Sequence, residues 1–302
     1  MSAPFADRLI ERCRRLGHPL CAGLDPHLPL IPPLFRRGSM APGAAETAAA
    51  VEDLLQAALP RLLPQVAAVK PQSAFFEQMG WRGIALLERV IGAARAAGVP
   101  VVLDAKRGDI GSTAAAYAVC LTPEAPAQAD ALTVNPYLGR DALEPFLAAA
   151  SAHGGGLFVL VKTSNPGSAD YQDRTIDGEP LYVHVARSLA DLSAGRRGPS
   201  TGWSSLGIVA GATYPQEGAR LRALLPDALF LVPGYGAQGG AAADAVRGFV
   251  RRAGGRLEGG LVSSSRGLLF PPGSDTDDVR TWERAIDSAV ARAVDELGTA
   301  VA

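Results

Sequence analysis

The stretch VVLDAKRGDIGSTAAAY, residues 101–117, decides how this chain is read. Val101 to Leu103 make an apolar run, Asp104, Lys106 and Asp109 follow, and a Gly111-Ser112-Thr113 turn leads into an alanine-rich segment. Side chains two apart on a strand share a face, so Asp104 and Lys106 point the same way at a strand end, with Asp109 in the loop beyond. Taken alone, the pattern fits a strand-end ion pair followed by a helix capped by Asp109 or Ser112. It equally fits a charged site on the rim of a sheet, and the rest of the chain has to choose.

Outward from that stretch the same unit recurs. Apolar runs at 20–25, 67–72, 101–106, 131–137, 157–163, 206–212, 228–234 and 259–265 read as eight strands. Helical windows lie between them at 46–63, 82–97, 114–121, 141–151, 179–193, 216–224, 240–252 and 277–297. Near-continuous apolar strands alternating with helices predict a parallel sheet buried on both faces. Eight such units predict closure into a (β/α)8 TIM barrel, with a doubly wound open sheet as the structural alternative. Before the first strand, Phe5, Leu9, Cys13 and Leu16 fall on one side of a helix that Ser2 can cap and whose first turn suits Pro4. Four prolines in residues 26–33 predict an extended loop without a helix.

Polar residues gather at the predicted strand ends: Asp25, Lys70, Asp104, Lys106, Asn135, Lys162 to Asn165, and Ser263 to Arg266. In a barrel these ends share one rim, where βα loops build active sites, so residues distant in sequence converge. Lys162 alternates with Thr163 and can point into the helix layer to meet an acid there. It stays outside the catalytic set, as does Asn135. His153, ahead of Gly154 to Gly156, reads as a helix C-terminus.

Bulk properties narrow the chemistry. The 302 residues are 48% hydrophobic, enough for one barrel domain spanning 1–302. A formal net charge of −1 without a Lys/Arg-rich run gives no footprint for nucleic acid. Cys13, Cys21 and Cys120 lack C-x-x-C spacing and read as reduced thiols of a cytoplasmic protein. With His18, His27, His153 and His184 equally scattered and neither set at metal-ligand spacing, no transition-metal cofactor is implied. Asp7 and Glu11 interrupt the N-terminal arginines, which argues against a targeting signal. No apolar run reaches the roughly 18 residues of a membrane span.

The chain resembles the orotidine 5′-phosphate decarboxylases along nearly its whole length. Their D-x-K-x-x-D-I-x-x-T signature is complete as Asp104, Lys106, Asp109, Ile110 and Thr113. AGLDP resembles the family's first-strand acid at Asp25, VKPQ its second-strand lysine at Lys70, and KTSNPGS its fifth-strand serine at Ser164. PGYGAQGG resembles the loop after strand seven with its glutamine at Gln238, and SSSRG the final arginine at Arg266. Ser265 replaces a glycine common there, and the long segments 26–45 and 165–178 resemble the larger-loop subgroup.

The resemblance implies decarboxylation of orotidine 5′-phosphate to UMP and CO2 in pyrimidine biosynthesis, without metal or organic cofactor. It implies Lys106 beside C6 of the pyrimidine, Asp104 facing the departing carboxylate, and Lys70 continuing a charge chain Lys70, Asp104, Lys106, Asp109. By the same resemblance Asp25 binds ribose, Ser164 the pyrimidine edge, and Arg266 and Gln238 the phosphate. Asp109 and Thr113 reach the ribose of a neighbouring subunit, which implies a homodimer. Two other readings stay open. One is an Mg2+-dependent sister enzyme sharing D-x-K-x-x-D, which Lys70 opposes because the sisters carry an acid there. The other is a silent nucleotide binder.

Overall fold

The computed structural model describes residues 3–212, 215–236, 240–252 and 255–302. Its eight parallel strands are β1 Leu20–Leu24, β2 Ala68–Pro71, β3 Val102–Arg107, β4 Ala131–Val134, β5 Gly156–Lys162, β6 Ser204–Ala210, β7 Ala228–Val232 and β8 Gly260–Ser264. They pair in the order β2-β1-β8-β7-β6-β5-β4-β3. Bridges Val69 to Val101 and Gln72 to Asp104 close β2 onto β3. The architecture is a TIM barrel, as the strand count predicts.

Alternation along each strand sorts side chains into two cores. Leu20, Ala22 and Leu24 of β1 pack outward against the helices, whereas Cys21 packs inward. On β3, Val102 faces inward between Val101 and Leu103, which face out. Asp104 and Lys106 inherit the inward parity of Val102, so the apolar rhythm of the strand delivers both charges to the barrel mouth.

Helix α1, Phe5–Leu16, closes the opposite end of the barrel. Phe5, Ala6, Leu9, Ile10 and Cys13 join the inner core with Val102, Ala131, Phe158 and Leu229. Phe5 meets Phe158 edge-on at 6.0 Å, and it fits only because β5 opens on Gly156, where a Cβ would stand 2.4 Å from the Phe5 ring. Fully buried Asp7 accepts hydrogen bonds from the amides of Ser200 and Thr201 and from the Thr201 hydroxyl. Pro4 stands at the N-cap; Ser2 lies outside the described residues.

Three local expectations change. The 240–252 window is helical only over Ala242–Ala245, and Val250–Arg251 pairs antiparallel with Leu257–Glu258. Gly248 interrupts it, lying so close to Phe230 that a Cβ would stand 2.6 Å from the ring. The 179–193 window divides into helices Leu181–Ser188 and Ala190–Ala194. The proline loop contains two 3-10 turns, Leu28–Leu30 and Pro33–Phe35, but no α-helix. His153 ends its helix as expected, with Gly154 left-handed at φ 66°.

Candidate active site

At the C-terminal rim one carboxylate is held by two ammonium groups. Asp104 Oδ2 accepts from Lys70 Nζ at 2.7 Å, and its Oδ1 accepts from Lys106 Nζ at 2.7 Å. Asp104 and Lys70 are buried, while the Lys106 side chain keeps 45% of its surface exposed toward the mouth. Burial alone would raise the Asp104 pKa, but Lys70 and Lys106 overcome it and hold the carboxyl well below its ordinary range. Burial alone would lower the Lys70 pKa; Asp104 and then Asp25 reverse that and raise it. Lys70 Nζ lies 4.0 Å from Asp25 Oδ1, so the charge chain within one subunit runs Asp25, Lys70, Asp104, Lys106.

The backbone around Lys106 is specialised. Its φ of 47° lies in the left-handed region that β-carbon-bearing residues rarely occupy, and the β3–β4 register shifts between Leu103 and Arg107. Thr133 of β4 stabilises the kink: its hydroxyl accepts from the Lys106 amide at 2.9 Å and donates to Asp104 Oδ1 at 2.9 Å. Sequence reasoning passed over Thr133. The available signal was a lone hydroxyl in the run ALTV, on the inward parity of the strand beside Asp104.

Asp109 does not join this chain. Half-buried in the loop, it accepts through Oδ1 from the adjacent Ile110 amide at 2.8 Å. The following helix, Gly111–Ala118, starts without a side-chain cap, so neither Asp109 nor Ser112 serves as one. Thr113 is exposed in its first turn.

Beside the charged group opens a cleft of about 420 Å³ whose walls include Asp25, His27, Lys70, Phe75, Ser265 and Arg266. Asp25 Oδ1 and Ser265 Oγ are buried there without a hydrogen-bond partner among the described residues. Gly23 lets β1 approach β8 at this point, since a Cβ would meet Ser265 Cβ at 2.6 Å. Arg266 is exposed, with no ion pair among the described residues. His27 packs against Phe75 with ring centroids 4.2 Å apart and the planes tilted by 59°; burial lowers its pKa, with Asp25 opposing and Arg266 reinforcing the shift. Ser164 follows β5, half-buried, and Gln238 lies outside the described residues.

Lys162 and Asn135 stay apart from the charge chain. Lys162 is 1% exposed and donates to Asp173 Oδ1 at 2.6 Å, so it meets an acid outside the barrel interior. Asn135 Oδ1 accepts from the Tyr137 amide at 3.0 Å, a turn-forming role. Among the described residues no group of three or more His, Cys, Asp or Glu is disposed to hold a metal ion.

Fold and site together define a (β/α)8-barrel enzyme that concentrates alternating fixed charges at its C-terminal mouth. Residues 18–270 match the orotidine 5′-phosphate decarboxylase / HUMPS family, and the chain belongs to it. It is 40% identical to the orotidine 5′-phosphate decarboxylase of Rhodopirellula baltica, over 97% of this chain and 98% of that one. It is 44% identical to the enzyme of the same name from Deinococcus radiodurans, over 93% and 94% of the two chains. Among solved structures, Leishmania donovani OMP decarboxylase superposes with a TM-score of 0.75 at 33% identity, covering 98% of each chain.

Proposed function

We propose that the charge chain Asp25, Lys70, Asp104, Lys106 carries out decarboxylation of orotidine 5′-phosphate. The protein is an orotidine-5′-phosphate decarboxylase, a carboxy-lyase that forms UMP in pyrimidine biosynthesis. The observation that carries the mechanism is the Asp104 carboxylate shared between two ammonium groups.

The C6–carboxylate bond breaks with its electron pair left on C6, CO2 departs, and no adjacent π system accepts the charge. A preorganised cation is the remedy. Lys106, exposed toward the mouth and oriented by Asp104, stabilises the carbanion and gives it a proton as general acid, forming UMP. Its amine then regains a proton from solvent. Asp104 both orients Lys106 and faces the departing carboxylate, while Lys70 keeps Asp104 ionised. Lys70 also places an ammonium between Asp25 and Asp104, the two acids that a divalent cation would need, which disfavours the Mg2+-dependent reading.

In the remaining assignments Asp25 takes a ribose hydroxyl, Ser164 the pyrimidine edge, and Arg266 and Gln238 the phosphate. Asp109 and Thr113 serve the site of a second copy in a homodimer. Support comes from Ile110, Tyr117, Tyr137 and Leu138, large apolar side chains left 58%, 41%, 86% and 50% exposed near them. The chain acts as one domain in the cytoplasm, where its three unpaired thiols remain reduced. The test is spectrophotometric conversion of orotidine 5′-phosphate with EDTA present. Undiminished UMP formation is expected, and turnover that requires added Mg2+ would overturn the reading.

A further inference from the structure

Strand β5 breaks its own alternation at the rim. Phe158 and Leu160 pack into the barrel interior, and the same parity would send Lys162 there. The β5–β6 register slips between Leu160 and Lys162, and the Lys162 ammonium instead meets Asp173 at 2.6 Å and Ser168 Oγ at 3.4 Å, 5.7 Å from the Tyr182 ring. A lysine 1% exposed joins a strand end to the segment 165–178 through an acid 40% exposed. Such a pair fixes register more than it adds stability, because desolvation offsets much of the attraction.

The next residues are held from the same segment. Gln172 Oε1 accepts from the Thr163 amide at 2.9 Å, and its Nε2 donates to Thr163 Oγ1 at 2.9 Å. Thr163 Oγ1 donates in turn to Asn165 Oδ1 at 2.7 Å. Gln172 is itself tied at both backbone ends, to Ser168 O at 2.8 Å and from the Tyr182 amide at 3.1 Å. Ser164 stands between these anchored neighbours, its backbone against Gly211, where a Cβ would lie 2.9 Å from Ser164 Cα.

We propose that Lys162, acting with Asp173 and Gln172, is a positioning residue that sets Ser164 against the pyrimidine, so that base recognition is tuned from the segment 165–178. The proposal rests on the reading of Ser164 as the pyrimidine contact. The device aligns one hydrogen bond to the base and leaves the ribose and phosphate contacts, on other strands, untouched.

The test is a double-mutant cycle of Lys162→Met and Ser164→Ala, read as affinity for UMP and, separately, for ribose 5-phosphate, which has no base. Each single substitution is expected to weaken UMP by about tenfold, the loss of one hydrogen bond, and to leave ribose 5-phosphate within about twofold. The double variant is expected to bind UMP no worse than either single one, because both remove the same contact. Additive losses, or equal weakening of both ligands by Lys162→Met, would overturn the positioning role while Ser164 kept its own. A Ser164→Ala variant with unchanged UMP affinity would overturn the Ser164 reading and this proposal with it. If Lys162→Met fails to fold, Gln172→Ala on the half-exposed segment takes its place in the cycle with the same expected results.

Discussion

The Thr133 hydroxyl stands 2.9 Å from Asp104 Oδ1, an uncharged group from the neighbouring strand fastened to the most heavily paired carboxylate of the site. Because the same oxygen accepts from the Lys106 amide, one side chain orients the acid and fixes the strained backbone of the cation it serves. Thr133→Val keeps the shape and removes both contacts. kcat is expected to fall by roughly tenfold to a hundredfold, the scale of one to two hydrogen bonds at about 1.4 kcal/mol per decade. Steady-state kinetics beside a far-UV spectrum checks it, and an unchanged kcat would remove Thr133 from the account.

Lys70→Met leaves Asp104 buried with only the half-exposed Lys106 as counter-charge. Breaking a buried pair from one side costs about 3–5 kcal/mol. A urea midpoint lowered to match is expected, together with loss of turnover. A variant as stable as the parent would mean that Lys70 is not the ion that keeps Asp104 charged.

The two shifts bound the pH range of the site. Asp104 has a lowered pKa in the fold, so its contribution is present above the ordinary carboxylate value of about 3.9 and is lost as pH falls through the folded value. Lys70 has a raised one, so its contribution is complete below the ordinary lysine value of about 10.4 and is lost as pH rises through the folded value. The stability difference between the parent and Asp104→Asn is therefore expected to stay level across neutral pH and to shrink only in acid below about pH 4. A difference that already narrows between about pH 5 and 7 would contradict the lowered Asp104 value.

Arg266→Ala is expected to weaken UMP by about tenfold to a hundredfold, the range of a charge-assisted contact, and to leave uridine unaffected. Isothermal titration with both ligands separates phosphate recognition from any general disturbance of the cleft. Equal weakening of the two would move the phosphate elsewhere.

Much of this architecture is legible in the chain because strand parity and strand ends are written in residue type. Val101-Val102-Leu103 announces a strand buried on both faces, and the same alternation carries Asp104 and Lys106 to the mouth. That Lys162 could meet an acid in the helix layer was legible from its alternation with Thr163, but not that the acid is Asp173, because a one-residue register slip leaves no mark in composition. Thr133 was hidden for another reason: a hydroxyl in an aliphatic run carries no charge to draw the eye. The 240–252 window misled through its alanines, which suit a helix but mark no face, and Gly248 is demanded there by Phe230 rather than by local preference. Asp109 shows a further limit, since a residue assigned to a second subunit has no partner that one chain can reveal.

Lys106→Ala tests the central claim most directly, because it removes the group proposed as cation and proton donor while leaving the Asp104–Lys70 pair in place. With the variant saturated with orotidine 5′-phosphate, kcat is expected to fall by about 10⁴-fold or more, the combined scale of general-acid and electrostatic stabilisation. Its affinity for UMP is expected to change by less than about tenfold. Turnover within about tenfold of the parent would contradict the account, since C6 would then take its proton and its stabilisation from another group.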